Sequence, residues 1–243
     1  MADIHALGDS AKYRTFTAHG VAEYLESTPV RQRRILLDYL FPDEAKAKII
    51  QRQPARELAQ RYFLAACDPA LLHEAIDKYS AAPAGEKPHA RSRRLAGLEA
   101  AQTLAKLAQE YPFVAERVGN RLTIPISGLF VRASIDLIGH DPRTGRPIAV
   151  IFNASASISR NESQLKHYAK VHCEIATRAL SLARIPDAHV WYVDIVSAKR
   201  IKAQAQGSKM NWRNLEVACD RIAIEMRELV SRRQRAAVVD LDG

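Results

Sequence analysis

The stretch Gly128–Tyr168 reads GLFVRASIDLIGHDPRTGRPIAVIFNASASISRNESQLKHY, and its pattern is strand, tight reversal, strand, loop and helix. Phe130–Ile138 alternates, which puts Val131, Ala133, Ile135 and Leu137 on one face and Asp136 on the other. His140-Asp-Pro-Arg-Thr-Gly145 is rich in the residues that reverse a chain sharply. Pro147–Asn153 is a nearly continuous apolar run, as expected of a central strand buried on both faces. Asn161-Glu-Ser-Gln164 resembles a capping box. The helix it opens carries Leu165, Tyr168, His172, Ile175, Ala179 and Leu182 on one stripe.

On the N-terminal side, Ala90–Glu110 has the period of a long amphipathic helix, with Arg91, Arg93 and Arg94 in its first turn. Between it and the quoted stretch, Phe113–Val118 and Leu122–Ile126 read as strands separated by the turn Gly119-Asn120. Before the breaker-rich segment Ala81–Pro88, residues 17–80 read as short helices. Thr17 is an N-cap candidate, Pro29 is expected to close the first helix, and Phe41-Pro42-Asp43 to break the second. Pro54 and Asp68-Pro69 mark two further helix starts. Residues 1–16 are weakly patterned and expected to be loosely held. On the C-terminal side, Ala188–Val196 reads as a strand and Asn211–Leu229 as a helix, with a frayed tail after Arg235. The order predicts a mixed sheet flanked by helices, with residues 1–80 as a helical N-terminal lobe and 88–243 as an α/β core.

The composition is that of a globular chain: 243 residues, 47% hydrophobic and 26% charged. No apolar run and no N-terminal signal pattern points to a membrane, so the expected location is cytoplasmic. Cys67, Cys173 and Cys219 lie far apart and form no metal or disulfide pattern, and the scattered histidines lack zinc spacing. Phosphate-loop, dinucleotide-binding, zinc-protease and nucleophile-elbow motifs are absent from the sequence. A formal charge of +9 comes from 36 Lys+Arg against 27 Asp+Glu. The clusters Arg31/Arg33/Arg34, Arg91/Arg93/Arg94, Lys199/Arg200/Lys202 and Arg232/Arg233/Arg235 point to a polyanionic partner.

The order helix, meander with an acid on its last strand, hairpin, central strand and a helix opening on Gln-x-x-x-Tyr resembles the PD-(D/E)xK nuclease superfamily. Its RecB-like branch, which includes CRISPR-adaptation and helicase-linked nucleases, is the most similar part. Ser134-Ile-Asp136-Leu-Ile138 looks like the first acidic motif and Gln164-Leu-Lys-His-Tyr168 like the Gln/Tyr motif. The resemblance covers about residues 90–200 and implies a restriction-endonuclease-like mixed central sheet. It also implies a Mg²⁺ site built from Asp136 and an acid on the next strand, with a lysine two residues on, where the metal activates water. This chain departs from that pattern. In the best register Ile151 stands at the acid position and Asn153 at the lysine position; a shift by two puts Asn153 and Ser155 there, and neither register supplies the charge.

The resemblance therefore implies a vestigial or residual catalytic set of Asp136, Asn153, Glu162 and Lys166, with Asp136 as the metal ligand of any Mg²⁺. Lys170 and Glu99 are further rescue candidates. Nucleic-acid contacts are expected from Gln164, Tyr168, Arg91, Arg93, Arg94, Lys199, Arg200 and Lys202, with DNA favoured. The expected function is that of an inactive nuclease-like protein, a subunit of a DNA-processing or defence assembly that binds nucleic acid. The alternatives are an active Mg²⁺-dependent nuclease with relocated residues, and a protein-interaction scaffold that docks partners through the helical lobe.

Overall fold

The structure is a computed structural model that describes residues 15–41, 53–185, 187–201 and 212–239, with backbone alone at 156–157 and 233–239. Expectations for residues 1–14, Pro42-Asp43, Lys202, the side chains of Arg233 and Arg235, and the tail 240–243 lie outside the described residues. The elements run β1 (Phe16–Thr17), α1 (Ala18–Glu26), α2 (Pro29–Leu40), α3 (Gln53–Leu64), α4 (Pro69–Ser80), α5 (Pro88–Glu110), β2 (Val114–Val118), β3 (Arg121–Ile126), β4 (Leu129–Ser134) and β5 (Leu137–His140). They continue with β6 (Pro147–Asn153), α6 (Ala156–Ser159), α7 (Glu162–Leu182), β7 (His189–Asp194), β8 (Lys199–Ile201) and α8 (Trp212–Val239).

This is the expected mixed α/β architecture, built on two sheets. The larger is five-stranded in the order β2-β5-β6-β7-β8, antiparallel except for the parallel pair β6/β7 that flanks α7 in sequence. The smaller is three-stranded in the order β1-β4-β3, with β1 parallel and β3 antiparallel to β4.

The single strand expected over Phe130–Ile138 is divided into β4 and β5, and the two halves belong to different sheets. The cause is a bend shared by both arms of one long hairpin. β3 and β4 are joined by Ser127-Gly128, both at positive φ (44° and 81°), a two-residue turn whose twist matches the strands. Where both arms then bend, Gly119 donates to the Asp136 carbonyl at 2.9 Å and Ile135 to the Asn120 carbonyl at 3.1 Å. A Cβ on Gly119 would lie 2.4 Å from the Ile135 carbonyl oxygen, so only glycine admits this approach. The bend leaves Asp136 at the seam where β4 departs from the larger sheet.

Local start signals otherwise act as the sequence implies. Thr17 caps α1 through Gly20 N (3.0 Å) and Asp68 caps α4 through Ala70 N (2.9 Å). Asn161 caps α7 through Gln164 N (3.0 Å). Pro29 is a correction. It opens α2 at the first turn, where its missing N–H has no intrahelical partner to lose, while α1 ends at Glu26 with Ser27 as its C-cap.

The residues expected to form a helical lobe are divided between two faces. Val21, Tyr24, Ile35 and Leu36 of α1 and α2 join the core with β3, β4, α7 and α8. Leu58, Phe63 and Leu72 of α3 and α4 join α5 and the opposite face of the five-stranded sheet. Alternation along β6 and β7 serves both: Val150, Phe152 and Val193 face α3 and α5, and Ile151 and Tyr192 face α7. Cys173 and Cys219 are buried free thiols, and burial pushes each up to about 12, consistent with packing residues. No helix among the described residues is long and apolar enough to cross a membrane.

Candidate functional site

Asp136 is 3% exposed, and its carboxylate is fully engaged. Arg56 of α3 reaches it through Nε (3.1 Å to Oδ1) and Nη2 (2.7 and 2.9 Å to the two oxygens). The backbone N–H of Phe152 donates to Oδ2 at 2.8 Å, and Gln60 Nε2 lies 3.3 Å from Oδ1 and from the Asp136 carbonyl. These bonds follow from the bend. The Phe152 N–H of β6 takes the Asp136 carboxylate as its acceptor where β4 has left the sheet, so no buried donor is left unpaired. The resulting negative charge is offset by a guanidinium one helical turn from Gln60, in a fork geometry that Arg alone provides.

The two positions after it are filled by structural groups. Ile151 is 3% exposed and belongs to the apolar cluster of Ile158, Leu165, Tyr168 and Tyr192. Asn153 lies in register with Asp194 across the parallel pair β6/β7, and its Nδ2 donates to Asp194 Oδ1 at 2.8 Å. Asp194 is fully buried. It also accepts from Ser159 Oγ (2.6 Å), Ser197 N (3.2 Å) and the Ser197 hydroxyl. The Asn153 side-chain Oδ1 in turn accepts from Ser155 N at 3.1 Å. This network ties together the loops that leave the ends of β6 and β7. A hard divalent cation needs several free oxygens. Asp136 is neutralised by Arg56, Ile151 offers no donor and Asn153 is committed to Asp194, so these residues do not fit Mg²⁺. Among the described residues no group of three or more His, Cys, Asp or Glu is placed to hold a metal ion.

Glu162 and Lys166 are not brought to Asp136 as a rescue pair. They pair with each other at 2.6 Å on the exposed first turn of α7, where Lys166 and the nearby Lys199 hold the Glu162 carboxyl below its usual range. Gln164 and Tyr168 do share a site, a cleft of about 420 Å³ with His19, Glu23, Glu26, Arg31 and Ser155. Arg31 pairs with Glu23 at 2.6 Å, and the Glu26 carboxylate lies 3.2 Å from Nδ1 of His167, whose pKa burial lowers. Tyr168 is a wall residue with its ring 5.0 Å from that of His19, and burial raises its phenol pKa. Behind it, His172 has both ring nitrogens buried without a partner among the described residues. Burial, then the charges of His19 and Arg56, push it down to about 3.

The basic clusters separate once folded. Arg94 is structural: it grips Glu86 at 2.9 Å, donates to the Tyr79 carbonyl at 2.7 Å and is 14% exposed. Arg91 lines an open cleft with Glu99 and Arg160, and Arg93 is exposed. On β8, Lys199 is exposed, whereas Arg200 lies over the Trp191 ring at 4.5 Å and near Tyr111 at 5.5 Å, a cation–π stack that fixes it on the sheet.

Sequence reasoning missed Arg56, Gln60, Asp194 and His19, and placed His172 on the apolar stripe of α7 without giving it a role. Asp194 left a signal, a lone acid inside an apolar strand, which must find donors when buried. No protein-family model matches the chain, and no curated protein matches it.

Proposed function

We propose that this chain is a nuclease-like protein without nuclease activity that binds nucleic acid, DNA in preference, as a subunit of a nucleic-acid-processing assembly. The observation that carries the reading is the engagement of Asp136 by Arg56 and Phe152 N–H, at the position where a metal-dependent nuclease needs a free carboxylate. Ile151 in the core and Asn153 bound to Asp194 support the same conclusion. The order of strands around α7, with β5/β6 antiparallel and β6/β7 parallel, supports the family resemblance as scaffold. Binding is supported by the +9 formal charge and by the exposed Arg91, Arg93 and Lys199.

The test combines gel shifts and cleavage assays on single- and double-stranded DNA and RNA, with Mg²⁺, with Mn²⁺ and with EDTA. The reading expects salt-dependent binding and no cleavage. Absence of binding to every substrate overturns the binding half, and metal-dependent cleavage abolished by Asp136→Ala overturns the inactive half.

A further inference from the structure

The poor fit of this site to a metal has a positive counterpart. A buried carboxylate normally draws a cation, and here the cation is part of the chain. Arg56 spends Nε and Nη2 on Asp136, and Nη1 has no partner among the described residues. The two ends of the pair differ in access: the Asp136 side chain is 4% exposed and that of Arg56 is 35% exposed. The guanidinium is thus held by a buried acceptor, while its side chain as a whole keeps partial access to solvent. Gln60 packs one turn along α3 against the same oxygen and backs the arrangement. Planar N–H donors fixed in direction before a ligand arrives suit a tetrahedral or planar oxyanion, since little side-chain entropy remains to be lost.

We propose that Arg56 is an oxyanion-binding residue that takes the place of the metal, contacting a phosphate-type oxygen directly, with Asp136 and Gln60 as its positioning residues. Resting on the nucleic-acid reading, the physiological oxyanion is a backbone phosphodiester, and its capture needs no divalent ion. The His172 imidazole, buried within electrostatic range of Arg56, is pushed toward its neutral form.

The experiment measures affinity for a short single-stranded oligodeoxynucleotide across a salt series, in EDTA and in Mg²⁺, and affinity for inorganic phosphate by titration calorimetry. Wild-type binding should be the same with and without Mg²⁺. Arg56→Gln should weaken oligonucleotide binding about tenfold and reduce the slope of log affinity against log salt by about one. Arg56→Lys should restore the slope but not the affinity, because an ammonium lacks the fork. Asp136→Asn is the decisive variant. It adds one net positive charge, so a purely electrostatic surface would bind more tightly, whereas loss of the positioning carboxylate weakens binding. Melting curves establish that each variant is folded, and Gln60→Ala serves as the milder positioning variant if Asp136→Asn does not fold. A folded Arg56→Gln that binds like the wild type, or a tighter Asp136→Asn, overturns the proposal. If the wild type binds no nucleic acid but takes phosphate in an Arg56-dependent manner, the nucleic-acid reading fails and the Arg56 site stands. If it takes neither, the site fails too.

Discussion

Asp136 and Asp194 are both buried acids beside the central strand β6, and the chain satisfies them in opposite ways. Asp136 meets a guanidinium that is partly in water, plus one backbone N–H. Asp194 meets only neutral donors, from Asn153, Ser159 and Ser197, at a site with no exposure. The first arrangement leaves charge at the surface for another molecule to meet. The second closes the ends of two parallel strands and offers nothing outward. On β6, Ile151 is used for packing and Asn153 for a hydrogen bond between strands. The difference separates an acid paired with a partly exposed cation from one closed within a network of neutral donors.

The comparison predicts an order of stabilities. Asp194→Ala should be the most damaging substitution, by about 4 kcal/mol in denaturant unfolding, because several donors lose their acceptor together and the Asn153 amide among them is buried. Asp136→Ala should cost less, about 2 kcal/mol. Removing one member of a buried pair is usually worth more than this, but the Arg56 guanidinium freed by the change already touches water. Equilibrium urea titrations of the two variants check the order, and an Asp136→Ala variant less stable than Asp194→Ala would show that Arg56 is not effectively solvated.

What the sequence made legible is what local physics determines. The apolar run Pro147–Asn153 and the capped helix from Glu162 to Leu182 are found where expected, because an uninterrupted hydrophobic strand and an Asn161 cap each act within a few residues. Asp136 stood out as an acid inside a strand pattern, but its partner lies 80 residues away on α3, and no local pattern links Arg56 to it. The bend was hidden for a related reason. Val131, Ala133, Ile135 and Leu137 keep one alternation through the point where the chain changes sheets, and only Gly119 on the other arm reveals the close approach. The first-turn arginines of α5 read as one cluster along the sequence, yet helical geometry turns Arg94 inward to Glu86 while leaving Arg93 exposed.

His172 gives the smallest and most specific test, because it lies between the two acid sites. It is within range of Arg56, and its ring is 5.3 Å from that of Tyr192, whose phenol pKa is raised by burial and by Asp194. With a pKa of about 3 in the folded protein against 6.5 in the unfolded chain, the folded state binds fewer protons than the unfolded one between those values. Stability from a neutral His172 is therefore fully present above pH 6.5 and declines as pH falls through that window, by up to about 1.4 kcal/mol per pH unit. His172→Phe keeps an aromatic ring and removes two unpartnered nitrogens. Near pH 7.5 it should alter stability by less than about 1 kcal/mol. Between pH 6.5 and 4.5 its unfolding free energy should fall less steeply than that of the wild type, with the acid groups common to both cancelling in the difference. Identical slopes would mean that water reaches the ring and that burial does not hold His172 neutral.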